Sequence, residues 1–352
     1  MQAPRIDIDV GKLSHNAKAL TALYAAKGID VVGVTKVVCG DPVIAAALVQ
    51  AGIAILADSR TANIERMRDA GIRAKFLLLR TPMASQAEAV IRCADISLNS
   101  EISVIRKLST FAVKHDTTHQ VILMAELGDL REGLMPADLE GTVREVVQLA
   151  KIELVGIGTN LACLGGIAPS EANMGRLSCL ADDLEARLGL RLVVVSGGNS
   201  ANFSWVTSTK AVGRINSLRL GESIFLGRET LQRKQIPGLH LDAFKLVAEV
   251  IESKVKPSLP WGRVHQNAFG GVPQLPDQGQ MRRVILGVGR QDVLPSGLTP
   301  KLDVQILGAT SDHIIINAKR ERLEVGDEVE FDLDYGALVP AMTSPYVSKR
   351  YC

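Results

Sequence analysis

Long hydrophobic runs are missing from this chain of 352 residues, and nothing approaches the roughly 20 consecutive apolar residues a membrane-spanning helix needs. Aromatic residues are scarce, at 4%; each tyrosine near a motif gains interest, although most will be packing residues. The five cysteines, Cys39, Cys93, Cys163, Cys179 and Cys352, contain no CxxC pair and no zinc-ligand spacing. No metal site is expected from them, and an odd, scattered set reads as reduced thiols in a cytoplasmic protein. Charge of one sign is also lacking. The formal net charge is +2, and Lys and Arg are scattered rather than clustered, which argues against a nucleic-acid surface. The opening MQAPRIDIDVGKL has neither the basic nor the apolar region of a secretory signal.

Apolar residues are plentiful, at 47%, enough for one large domain and a smaller one. Short apolar runs recur over the first two-thirds: VVGVT (31–35), IAILA (53–57), KFLLL (75–79), DISLN (95–99), VILMAEL (121–127), ELVGIGT (153–159), RLVVVS (191–196) and INSLRL (215–220). Continuous apolar strands of this kind suit a parallel sheet buried on both faces. Helical patterns lie between them, such as 42–52 and 61–71, the second opening on a capping Thr61 and closing on Gly71. Eight such units predict a (β/α)8 TIM barrel over 1–235. An open doubly wound sheet is the alternative, and the lack of GxGxxG after the first strand counts against its dinucleotide-binding form.

From 236 to 352 the helical patterns give way to strand-like segments, 243–255, 282–289, 302–318 and 327–333, separated by Pro, Gly and Asp turns. This predicts a smaller, mainly antiparallel β domain. The early strand RIDIDV (5–10) suits either domain.

Lys36 ends the first barrel strand, where barrel enzymes place their active sites. A lysine after five apolar residues is partly desolvated, which frees its amine for Schiff-base chemistry; the plainer reading is an exposed lysine beginning a loop. SGGNSANF (196–203) follows strand seven and RLGESIFLG (219–227) follows strand eight. Their glycines, with Ser200, suit the phosphate sites that barrels build after those strands. Either loop alone is an ordinary tight turn. Together with a strand-one lysine they suggest pyridoxal 5′-phosphate (PLP).

The order of these motifs resembles the alanine-racemase-like, fold type III PLP enzymes, and within them the ornithine racemase branch. The resemblance rests on VTKVVCGDP, LADSR, LGDLREG, GIGTNL, SGGNS, LRLGESIFLGRET, VGRQDV, GATSDH and LDYGALVPAMTSPYV, between residues 30 and 347. It implies that Lys36 carries PLP and that Arg219 faces the pyridine nitrogen, where a permanent cation keeps that nitrogen unprotonated. It also assigns Ser200, Gly221 and the backbone of Glu222 to the phosphate, with the Tyr335 hydroxyl beside them. Arg131 is implied near the substrate carboxylate, and Asp312 as an acidic residue entering from a partner subunit in a head-to-tail homodimer.

Departures from the alanine racemase pattern are specific. The tyrosine expected four residues after the lysine is replaced by the Cys39–Gly40 stretch; its modified lysine is Met124; the histidine of its THF segment is Asn160, still in the cofactor's surroundings. The partner's catalytic tyrosine has no match, and Phe269 stands nearest. Racemisation through an external aldimine and a Cα carbanion needs an acid–base group on each face. Lys36 serves one. His265, in the stretch lacking the tyrosine, is the expected second, with Cys163, Tyr346 and Asp292 as other candidates and an exposed loop histidine as the plainer reading. The branch implies a basic substrate, ornithine, whose side-chain ammonium Asp292 and Asp312 would pair; both also suit caps or turns. Alanine or broad-specificity racemisation, decarboxylation, a D-amino-acid aldolase or dehydratase, a non-catalytic PLP carrier and a PLP-free Schiff-base aldolase are the rival readings.

Overall fold

The computed structural model describes residues 2–272 and 276–352 and divides into two compact units. One runs from Gly11 to Leu241; the other combines the N-terminal segment through Val10 with Asp242–Cys352. Strand β1 (Arg5–Ile8) belongs to the second unit. The first then carries β2 (Asp30–Val34), β3 (Ile55–Asp58), β4 (Lys75–Leu78), β5 (Ile96–Asn99), β6 (His119–Met124), β7 (Ile152–Gly158), β8 (Val194–Asn199) and β9 (Ser217–Leu220). Each is parallel to the next, and β9 closes on β2 with Arg219 opposite Val32. The open-sheet alternative therefore fails, and the eight apolar runs are the eight staves of a barrel. Inward residues such as Val32, Ala57, Leu77, Ile96, Ile122 and Met124 form one buried cluster. Each large side chain so buried stabilises by about 1.5–3 kcal/mol.

Two local expectations change. The helix Thr61–Asp69 is not capped by Thr61, which is its first residue; Arg60 holds the cap position without a side-chain bond. The entry is secured instead by Asp58, whose Oδ1 accepts from the Arg60 amide at 3.0 Å and from Asn63 Nδ2 at 2.9 Å. Gly197 and Gly198 lie inside β8 rather than in a loop after it. Packing explains them: a Cβ on Gly197 would sit 2.6 Å from Ile215, and Gly198 adopts φ +135°, open to glycine alone.

The second unit adds β10 (Phe244–Pro257), β11 (Gln280–Leu286), β12 (Leu298–Pro300), β13 (Gln305–Ala309), β14 (Ile314–Asn317), β15 (Glu328–Leu333) and β16 (Ser348–Tyr351). The sheet order is β12-β15-β10-β11-β14-β13, with β1 antiparallel to β10 and parallel to β16. RIDIDV thus pairs within the β unit. Ile6 and Ile8 are fully buried, and Arg5 reaches across β10 to Glu328, with Nη2 to Oε2 at 2.7 Å. The segment 302–318 resolves into the β13–β14 hairpin, and a nine-residue helix, Tyr335–Thr343, is an element the strand patterning did not show. The division falls after Leu241 rather than 235. Asn16 explains this: fully buried, it exchanges bonds of 2.8 and 2.9 Å with the His240 backbone and keeps that stretch on the barrel unit.

Candidate active site

Lys36 begins a single 3-10 turn directly after β2. The residue is exposed, yet protein crowded about the amine lowers its pKa below that of an ordinary lysine. Cys163 and Asp58 act against that shift; Arg131 and Arg219 act with it. Four other strand ends therefore converge on this one amine: the end of β3, the segments after β6 and β7, and β9 itself.

Arg219 is the buried member. Its guanidinium donates to the Ser196 hydroxyl, to the Thr159 carbonyl at 2.9 Å and to Asn160 Oδ1 at 3.4 Å. All three acceptors are neutral, and burial pushes its pKa down to about 10, so it stays charged at neutral pH. Asn160 is held by Asn199, whose Nδ2 donates to Oδ1 at 3.1 Å. Asn160 Nδ2 is buried and has no hydrogen-bond partner among the described residues. Next to this group, Ser200 Oγ lies 3.0 Å from Ser223 Oγ and accepts from the Ser223 amide at 3.3 Å. Gly221 is the cap of the short helix Glu222–Leu226, and a Cβ there would press on Val34 at 3.2 Å. The Glu222 side chain is turned to Arg233.

Arg131 donates to Cys163 Sγ at 2.9 Å and pairs with Glu132. Burial works against its charge, but the Glu132 carboxylate outweighs it and holds the guanidinium above its ordinary value. Both loops here are strained. Leu130 and Ala162 have φ +52° and +54°, a conformation costing about 1–2 kcal/mol for a residue with a Cβ. Two carboxylates offset this. Glu126 accepts from the amides of Gly128, Leu130 and Arg131. Asp129, 1% exposed, accepts from those of Cys163, Leu164 and Gly165 at 3.0–3.3 Å. Asp129→Ala is expected to cost about 3 kcal/mol in denaturant unfolding, because buried amides lose a charged acceptor. Asp129→Asn, which keeps one acceptor oxygen, should cost less than half of that. Equal losses would mean the bonds matter little.

The match to known proteins decides the family. Residues 8–229 fit the model for the alanine racemase N-terminal domain. The chain is 39% identical over 351 residues to an ornithine racemase from Acetoanaerobium sticklandii, covering 99% of both chains. It is 37% identical over 353 residues to a lysine racemase from Thermotoga maritima, covering 100% of this chain and 99% of that one. Among solved structures, an alanine racemase from Streptomyces lavendulae superposes with a TM-score of 0.78 at 19% identity, over 100% of this chain and 98% of that one. This chain belongs to the alanine racemase family.

It is accordingly a PLP-dependent amino-acid racemase. The site suits that cofactor: Asn160 Nδ2 is a buried donor still lacking an acceptor, and Arg219 is a buried cation whose acceptors are all neutral. The barrel unit of the racemase brings Lys36, Arg131, Asn160, Ser200, Arg219, Gly221 and Glu222 to the C-terminal ends of its strands. Sequence reasoning passed over Asp129 and Asp58, which touch the site's loops rather than its centre. A carboxylate beside each motif, in LGDL and LADS, is the only signal the sequence offers for them.

The remaining nominated residues lie in the β unit. His265 is exposed in the 261–272 segment, where Arg290 stacks on the Phe269 ring at 4.3 Å. The Arg290 amide bonds Thr310 O at 2.9 Å and that of Gln291 bonds Ser311 O at 3.0 Å. The segments bearing His265, Asp292 and Asp312 are thus tied together. Asp292 is buried and accepts from Ser344 Oγ at 2.6 Å, whereas Asp312 is exposed beside Ser311 and His313. Tyr346 is exposed, and its amide bonds the same Ser344 hydroxyl at 3.1 Å. Tyr335 opens its helix directly after Asp334, which caps the Ala337 amide at 2.8 Å.

Proposed function

We propose that this racemase interconverts L- and D-ornithine in the cytoplasm, as a homodimer whose β units complete each other's sites. The full-length likeness to the ornithine racemase carries the substrate, and the lysine racemase at similar identity supports a basic amino acid. PLP, when bound, supplies an electron sink that acidifies the substrate Cα–H. Lys36 holds it covalently. Ser200, Gly221 and the Glu222 backbone receive its phosphate with Tyr335, and Asn160 and Arg219 line its ring.

Arg131 binds the substrate carboxylate, and Asp312 with Asp292 receives the side-chain ammonium. The Lys36 amine, whose pKa its crowded surroundings lower, moves the Cα proton on one face. The His265 imidazole of the partner subunit serves the other.

Proton exchange at Cα of L-ornithine in D2O, with chiral analysis, tests this. Alanine, lysine, arginine and serine are run beside it. Deuterated D-ornithine is expected, with kcat/KM at least about tenfold above that for alanine. Alanine ahead of all three basic substrates would refute the assignment of substrate. Exchange with full retention would remove His265 from its role.

A further inference from the structure

Asp58, at the end of β3, is a fully buried carboxylate whose hydrogen-bond partners are all neutral: Thr35, Asn63 and the Ser59 and Arg60 amides. Its neighbours are the two sides of the lysine turn. Thr35, the residue before Lys36, donates its hydroxyl to Asp58 Oδ2 at 2.8 Å. On the far side, Asn63 donates to Oδ1 at 2.9 Å, and the Cys39 thiol reaches Asn63 Oδ1 at 3.6 Å. Gly40 packs on Asn63 so closely that a Cβ would lie 2.7 Å from that residue's own Cβ. The Gly40 amide closes the turn onto the Thr35 carbonyl at 3.2 Å. Arg66 holds the Cys39 carbonyl from outside.

A helix entry needs none of this. The two bonds that serve the helix use Oδ1, while Oδ2 is spent on the residue next to Lys36. We infer that Asp58 is a positioning residue for Lys36, which grips its turn from both ends and sets a carboxyl group beside that turn. The inference rests on Lys36 being the cofactor-bearing lysine.

The charge has a sign that can be read. Asp58 favours the protonated amine, against desolvation and the two arginines, Arg131 and Arg219; Cys163 acts in the same direction as Asp58. Burial raises the Asp58 pKa, and its Asn63, Thr35, Arg60 and Ser59 donors counter that only in part. Neutralising Asp58 must therefore lower the pH at which the Lys36 nitrogen loses its proton. Removing only the Thr35 hydroxyl must not.

The test uses the PLP-loaded enzyme and reads the pH midpoint of its visible absorbance, which follows the Lys36 nitrogen, beside the pH profile of kcat/KM. Asp58→Asn, with Asp58→Ser as a second neutral replacement, should move the midpoint and the acidic limb down by about half a pH unit or more. Thr35→Val should leave both in place while slowing turnover, with recovery in Thr35→Ser. A midpoint unmoved by either Asp58 replacement would overturn the inference, as would Thr35→Val with wild-type turnover. Borohydride reduction and peptide mapping of the wild type keep the two ideas apart. Label away from Lys36 sinks the proposed function; label on Lys36 with an unmoved midpoint sinks only the role of Asp58.

Discussion

Lys36→Ala is expected to abolish the visible absorbance of bound PLP and to lower racemisation by about a thousandfold or more, because one residue supplies both the covalent attachment and a proton carrier. Lys36→Arg should fail equally: it preserves a cation but offers no amine that deprotonates near neutral pH. The fold should survive either change, since Lys36 is exposed on a turn closed by backbone bonds from Gly40 to Thr35 and from Cys39 to Lys36. Unchanged thermal unfolding with lost absorbance identifies a functional lysine. In the wild type the lowered Lys36 pKa keeps the neutral amine available at lower pH than an ordinary lysine would. A variant retaining PLP and normal turnover would remove Lys36 from the centre of the mechanism.

Arg219→Gln should lower turnover by about a hundredfold and redistribute the products. Glutamine can still donate to the Thr159 carbonyl, so the shape of the site is largely kept while its buried charge is lost. A PLP whose ring nitrogen faced Arg219 would stay unprotonated there and would accept less charge from Cα. Without that cation PLP would be the stronger electron sink, and abortive transfer of the amino group to the cofactor, with release of keto acid, should become more frequent. Keto-acid formation per racemisation event, measured over many turnovers, should rise at least about tenfold. A slower enzyme with an unchanged product ratio would make Arg219 a packing residue. Thermal stability bears on the same point, because the wild type holds this charge at 4% exposure, and replacing a buried charge with a neutral amide removes a desolvation penalty.

Much of this was written in local patterns. The eight barrel strands follow from apolar runs because a strand covered on both faces cannot alternate. The lysine turn was legible because the end of a barrel strand is the one place where a lysine follows a fully buried segment. Ser200 and Gly221 were recognisable only as a pair, after adjacent strands. Other readings failed for equally local reasons. Thr61 has the chemistry of a helix cap, but Asp58, two residues before the cap position, already satisfied the helix entry. The glycines of SGGNS looked like an anion loop, yet Gly197 is required by the side chain of Ile215. The helix Tyr335–Thr343 stayed hidden because Pro340 sits inside it and its residues are nearly all apolar.

Chain-level patterns were enough to point to a closed barrel, a second unit rich in strands, and a lysine at the end of a barrel strand with Ser200 and Gly221 after two others. Each depends on residues close together along the chain, where sterics, periodicity and turn chemistry act directly. Contacts between distant segments settled everything else. Arg5 finds Glu328 across β10, so the first strand joins the last hundred residues; Asn16 meets His240, so the division shifts to Leu241. Asp129 gathers the amides of Cys163, Leu164 and Gly165 and thereby sets Cys163 against Arg131. Asp58 reaches Thr35 and Asn63 at once. A carboxylate reveals such a role only when folding has removed it from water and limited it to the donors that surround it, and no spacing along the chain reports which donors those will be.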